Sequence, residues 1–154
     1  MLVCKYKFNN TLYDLIPIFN DGYNGYTISD EKDGEVTTRT IECDTLPTMI
    51  KFSDGDASNN TPSNMTLSLL ELIDIDTSNV TDMGYMFFKC NNVTSICAEK
   101  FDTSKCISMY YMFALCASLQ SLDVSSWNVS LVKSMSSIFS SCSSLTSLNI
   151  NNLL

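Results

Sequence analysis

Seven cysteines are the most chemically versatile side chains in this 154-residue sequence, and three of them, Cys90, Cys116 and Cys142, recur every 26 residues. Close cysteine pairs, or cysteine with histidine, would bind zinc, and two oxidised thiols at bonding distance would staple the chain. There is no histidine and no C-x-x-C spacing. Three stacked cysteines cannot all pair, and an odd total leaves a free thiol in any case. The recurring cysteines fall on an apolar stripe with Met and Phe, so the expectation is burial as small hydrophobes, with no metal and no cofactor.

Carboxylates are the next candidates. Asp74, Asp76, Asp82, Asp102 and Asp123 could work in pairs as general acid and base, but Asp76 and Asp102 occupy equivalent places 26 residues apart, as turn residues would. Asp54, Asp56 and Ser58 imitate the start of a calcium loop; Asn59 stands where that loop needs glycine and Met65 where it needs glutamate, so a polar turn is expected. There is no nucleophile elbow, P-loop or dinucleotide fingerprint. The sequence predicts no enzyme. Sequons at Asn79, Asn92 and Asn128 reflect the Asn/Ser/Thr-rich composition.

The elements that would position these groups are repeats. Ile75, Phe101 and Trp127 open three copies of a 26-residue unit, and Leu153 begins a fourth. Met83, Met109 and Met135 align, as do Phe87, Phe113 and Phe139, with no insertion anywhere. A period this strict marks a repeated supersecondary unit, too small to stand alone and buried by its neighbours. Within each copy, spacings such as Val132, Met135, Ile138, Phe139 and Cys142 read as one face of a short helix, with Ser78, Ser104 and Ser130 placed as caps. Helices are predicted near 80–89, 106–115 and 132–141. Leu119, Leu122 and Val124, or Leu145, Leu148 and Ile150, then read as a short strand, with like residues stacked at about the 4.8 Å strand spacing.

Residues 1–48 lack the period and read as a β-rich N-terminal cap. Cys4, Tyr6 and Phe8 alternate with Val3, Lys5 and Lys7 as in a half-buried strand, and YTISDEKDGEVTTRTIEC reads as two strands around a Lys-Asp-Gly turn. The remainder, 49–154, reads as the solenoid: degenerate coils over 49–74, repeats at 75–100, 101–126 and 127–152, and the start of a fourth at 153.

The motif L-x-x-L-x-V/I in LQSLDV and LTSLNI resembles the strand of a leucine-rich repeat. FDTSKCISMYYMFALCASLQSLDVSSW and IDTSNVTDMGYMFFKCNNVTSI more narrowly resemble the BspA-like leucine-rich-repeat surface proteins of low-GC bacteria and their phages. The N-terminal CKYKF, DLIPIFNDGY and TRTIECDTLPTMIKF resemble leader segments of the same group. The resemblance implies an α/β fold, a leucine-rich-repeat-like solenoid of short parallel strands and short helices. It also implies display on a cell surface or in a virion.

The expected working parts are surfaces. Thr94, Ser95, Gln120, Ser121, Asp123, Thr146, Ser147 and Asn149 project outward between buried strand positions as a ladder of small polar groups, the kind of extended face that repeats use for binding. Tyr85, Phe88, Tyr110 and Tyr111 would be interface anchors, unless the N-terminal cap folds over them. A formal charge of −8 argues against nucleic acid. No stretch reaches the roughly 18 apolar residues of a membrane span, and MLVCKYKF lacks the apolar core of a signal peptide. The function expected is a non-enzymatic binding or adhesion module recognising a protein or glycan on another surface; the alternative is a phage virion or tail-associated structural protein. The closing NINNLL leaves a last coil uncovered, which predicts a trimmed chain or a homo-oligomer through that coil.

Overall fold

Alternating apolar residues at the N-terminus do form a strand, and the rest of the cap is built on it. The computed structural model describes residues 1–20, 22–55, 57–58 and 60–151. Strand β1 (Leu2–Asn9) buries Cys4, Tyr6 and Phe8. After β2 (Ile18–Phe19) comes the expected hairpin, β3 (Tyr26–Asp33) and β4 (Val36–Cys43), with Asp33 opposite Val36. Gly34 takes the left-handed conformation (φ +60°) that the tight turn requires. Strand β3 is exposed along nearly its whole length and carries Asp30, Glu31, Lys32 and Asp33, charges that blunt an open sheet edge.

Strand β5 (Ile50–Lys51) pairs antiparallel with β2. Helix α1 (Asn64–Ser68) is closed by a capping box in which the Ser63 and Thr66 side chains serve each other's backbone. Strand β6 (Leu69–Ile75) follows and joins the two halves of the chain. It runs antiparallel to β1 on one side and parallel to β7 (Ser95–Ile96) on the other, giving a mixed sheet of order β3-β4-β1-β6-β7. Strands β8 (Ser121–Asp123) and β9 (Ser147–Asn149) form a separate two-stranded parallel pair.

The predicted helices are absent, and this overturns the expected fold class. Among the described residues, helix is confined to the five-residue α1 and a 3₁₀ turn over Ala98–Lys100. The chain is a mostly antiparallel and mixed β structure, not an α/β leucine-rich-repeat-like solenoid of parallel strands and helices. Residues 80–89, 106–115 and 132–141 are instead chains of turns. The reason lies in where their N–H groups go. Met83, Tyr85, Phe87 and Lys89 donate to the carbonyls of Ser108, Tyr110, Met112 and Ala114, each at 2.9 Å. Met109, Tyr111, Phe113 and Leu115 donate to Ser134, Ser136, Ile138 and Ser140 at 2.8–3.1 Å. The residues between them bond back three positions, as Met86 does to Met83 and Phe88 to Tyr85. A helix would need all those donors for itself.

Aiming alternate amides along the stack requires left-handed residues. Tyr85, Tyr111 and Ser137 (φ 59°, 54° and 57°) and Lys89, Leu115 and Ser141 (φ 62°, 65° and 58°) provide them, at two equivalent positions in every copy. Side-chain packing and the interlocking ladder offset the cost of left-handed backbone at residues with a Cβ.

Side chains reinforce the ladder. The rings of Phe52, Phe87, Phe113 and Phe139 form one column, with centroids 5.5, 5.4 and 5.7 Å apart and planes within 13° of parallel. Phe101 and Trp127 stack beside it at 6.0 Å, and the Trp127 indole N–H reaches the Ala98 carbonyl at 2.8 Å. Burial fades towards the end of the column. Phe87 and Phe113 are fully buried, whereas Phe139, Met135, Ile138 and Leu145 are only partly covered.

Two stability outcomes follow in urea denaturation. Phe113→Ala, which empties the middle of the column, should cost about 3–5 kcal/mol, and Phe139→Ala at its half-covered end about half as much. Ser137→Gly, at an exposed left-handed position, should raise stability by up to about 1 kcal/mol.

Candidate functional site

Thiols come first, because their chemistry was the first to be weighed. The column Cys90, Cys116 and Cys142 is a hydrogen-bonded ladder: each Sγ donates to a carbonyl above it, of Phe52, Phe87 and Phe113, at 3.6, 3.2 and 3.1 Å. All seven cysteines are free. Burial pushes the Cys97 thiol up to about 12 and raises Cys4, Cys90 and Cys116 further above the ordinary range. These are protonated packing groups, not nucleophiles.

The repeating carboxylates are turn residues, as their spacing predicted. Asp76 accepts from the Ser78 backbone N–H and hydroxyl, and Asp102 and Asn128 do the same for the amides of Ser104 and Ser130. Thr77 and Thr103 link copies by donating to the carbonyls of Asp102 and Asn128, both at 3.0 Å. Ser78, Ser104 and Ser130 therefore cap no helix. In the stretch that imitates a calcium loop, Asp56 and Asn59 lie outside the described residues, as does Leu153 at the start of the fourth copy. Among the described residues no group of three or more Cys, Asp or Glu side chains could hold a metal.

The polar ladder is split. Ser121 faces Ser147 and Asp123 faces Asn149 across β8 and β9, but Ser95 faces Glu71 on β6, in the other sheet. Thr94, Ser95, Gln120, Ser121, Asp123, Thr146 and Ser147 are exposed, and Asn149 is half-buried. Several of these groups are already engaged locally. Thr94 and Thr146 hydroxyls lean on the Leu70 and Gln120 carbonyls, and Asp123 accepts from the Ser125 amide and hydroxyl, which hold its carboxyl below the ordinary range.

The four predicted aromatics do come together. Tyr85 and Tyr111 stack at 5.7 Å with planes 7° apart, Tyr110 meets both edge-on at 5.5 and 4.4 Å, and Phe88 lies edge-on to Tyr85 and Tyr111 at 5.2 and 5.8 Å. The positive φ at Tyr85 and Tyr111 is what turns these two side chains to the same side. Phe88 is buried beneath, and the three tyrosines are half-exposed. The cap reaches this cluster through Lys51, whose Nζ lies 5.9 Å from the Tyr85 ring centre. Desolvation and the neighbouring Tyr111 and Tyr85 hydroxyls raise the Tyr110 phenol. Lys89, itself fully buried, lays its ammonium 5.1 Å from the Phe88 ring centre.

Sequence reading missed one cluster in the cap. Arg39 grips Asp30 with two hydrogen bonds (2.7 and 2.6 Å), meets Asp14 at 2.8 Å, donates to the Leu15 carbonyl at 3.0 Å and lies over Phe8 at 4.9 Å. It lines a cleft of about 560 Å³ with Asn10, Lys32 and Thr37. The available signal was that Arg39 is the chain's one arginine, in phase with the buried Thr37, Ile41 and Cys43 of β4. Every Arg39 nitrogen is spent within the chain, so the cluster ties β3, β4 and the 14–15 segment together.

The fold and these surfaces define a β-rich, repeat-bearing protein that offers faces, not a reactive centre. Residues 58–153 match the family described as Mycoplasma protein of unknown function, DUF285. The match spans more than half of the sequence, and this chain belongs to that family. No leucine-rich-repeat family was detected, so the resemblance to BspA-like leucine-rich-repeat surface proteins is corrected by both the family match and the missing helices. No curated protein and no solved structure matches the chain.

Two measurements check this geometry. Because Arg39 lowers the Asp30 carboxyl, the stability it contributes is present above about pH 4, its unfolded value, and lost as pH falls through the lower folded value. The gap between wild type and Asp30→Asn should therefore be full at neutral pH and shrink below about pH 4. Alkylation at pH 8 should modify Cys142, the half-buried thiol, before the other six, with all seven reacting together only after unfolding.

Proposed function

We propose that this chain is a non-enzymatic binding module that recognises a protein or a glycan on another surface, with Tyr85, Tyr110 and Tyr111 as its anchors. The tyrosine cluster carries the reading. It gathers three half-exposed rings from two adjacent copies over a buried Phe88. Tyrosines locked by packing offer apolar ring area and a polar tip, and lose little conformational entropy on contact. Aromatic anchors of this kind dominate measured interfaces. The exposed strip through Gln120, Ser121, Asp123 and Ser147 supplies polar rim contacts. Among the described residues no helix is long and apolar enough to cross a membrane. The module would work at a cell or virion surface, where rigid faces meet other surfaces.

The test is binding of the purified chain to immobilised glycans and to intact cells. Tyr85→Ser with Tyr111→Ser, in a protein that keeps its urea midpoint close to that of Tyr85→Phe, should weaken saturable binding about 30-fold or more. Gln120→Lys, Asp123→Lys and Asn149→Lys together should weaken it by less. Binding that survives the tyrosine changes and disappears with the lysine changes would move the site to the strand strip. A discrete oligomer that binds nothing would replace this reading with a structural one.

A further inference from the structure

The third copy ends in an edge whose chemistry is one-sided. In the first copy Met83, Tyr85, Phe87 and Lys89 aim their N–H groups at carbonyls of the second, and in the second Met109, Tyr111, Phe113 and Leu115 aim theirs at carbonyls of the third. The equivalent donors of the third copy are Met135, Ser137, Phe139 and Ser141, and among the described residues no acceptor stands opposite them. The carbonyls of Ser134, Ser136, Ile138 and Ser140 point the other way, already taken by the second copy. An ordinary strand edge alternates donors and acceptors; this stretch presents donors alone.

From this polarity we infer that the edge is a docking site for a further copy of the same 26-residue repeat carried by a second, different polypeptide chain, added in parallel as the next rung. Three observations select this occupant. The two upstream rungs show what fills such a row: backbone carbonyls of a following copy, in strict register. The ring column stops at Phe139, which is packed against Phe113 on one face and only partly buried, so the next rung's aromatic has its place. The Phe139 carbonyl occupies the position that Phe87 and Phe113 use to accept a thiol from the copy below.

A second molecule of this chain does not fit. Two such edges brought together by a two-fold axis would set donors against donors. Its other end is closed by the segment before the repeats: Phe52 donates to the Met86 carbonyl at 2.7 Å and stacks on Phe87, and Thr48 accepts from Thr81. Charge does not oppose the incoming chain. No Asp or Glu follows Asp123, and Lys133 is the one charged side chain beyond it, in a sequence of net charge −8. The surface is separate from the tyrosine cluster, and the inference stands whether or not that cluster binds anything.

The probe is a synthetic peptide with the sequence of residues 101–126, titrated into the full chain and followed by amide hydrogen exchange. In the free protein the amides of Met135, Ser137, Phe139 and Ser141 should exchange at least about 100-fold faster than those of Met109, Tyr111, Phe113 and Leu115. Saturating peptide should slow the first four together, and Phe139→Lys, which leaves the upper rungs intact, should abolish that slowing. A peptide of scrambled sequence should have no effect. Absence of saturable protection up to millimolar peptide would overturn the inference. So would protection already present in the free protein, whether from its own chain or from a dimer seen by light scattering.

Discussion

Half of the backbone amides in the turn segments of the first two copies are satisfied only by the copy that follows. That constraint governs the repeat half of the molecule. A helix or a hairpin closes its hydrogen bonds within itself, and tertiary packing then stabilises what already has a shape. Here residues 83–89 and 109–115 have no such closure. Their conformation exists because a second layer of carbonyls lies in register about 26 residues away, and the left-handed residues at Tyr85, Lys89, Tyr111 and Leu115 are the geometric cost of pointing the amides there. The aromatic column, the thiol ladder and the Thr77 and Thr103 links all repeat the same contact in side-chain form. Local and long-range structure are therefore one interaction, and the first residues of such a stack need something already ordered to build upon.

The cap supplies that support. Strand β6 is hydrogen-bonded to β1 on one edge and to β7 on the other, and Phe52 takes the first place in the ring column. The antiparallel sheet of β1, β3 and β4 is self-sufficient in hydrogen bonding, and Arg39 with Asp30 and Asp14 draws its outer hairpin and the 14–15 segment onto it. Order is thus handed from a conventional sheet to the repeats.

Much of this was readable in the sequence, and the failures have physical causes. The period, the columns of Phe, Met and Cys, and the turn role of Asp76 and Asp102 depend only on equivalent residues sharing equivalent places, so spacing revealed them. The hairpin was legible because alternation and a Gly turn are local signals. The helices were misread because Val132, Met135, Ile138, Phe139 and Cys142 lie three or four apart, and a run of turns closing every third residue produces the same spacing as a helix face. The discriminating feature was backbone handedness. It was hidden because tyrosine, lysine, leucine and serine, not glycine, occupy the left-handed positions. That misreading led to a solenoid of helices and strands and supported the wrong family. The aromatic cluster was found because its members recur within two copies, whereas Arg39 acts through partners scattered over three segments.

The alternation of amide directions also sets the rules by which such a chain can change its length. One residue added or removed inside a copy would reverse the aim of every following amide in that segment, so donors would confront the wrong neighbours and the ring column would fall out of line. A whole 26-residue unit added or removed leaves every direction unchanged. Outward positions, by contrast, can vary freely, as Tyr110 and Tyr111 giving way to Ser136 and Ser137 already shows. The molecule is built like a sentence that tolerates new words at set places and new clauses of one length, but no stray syllable.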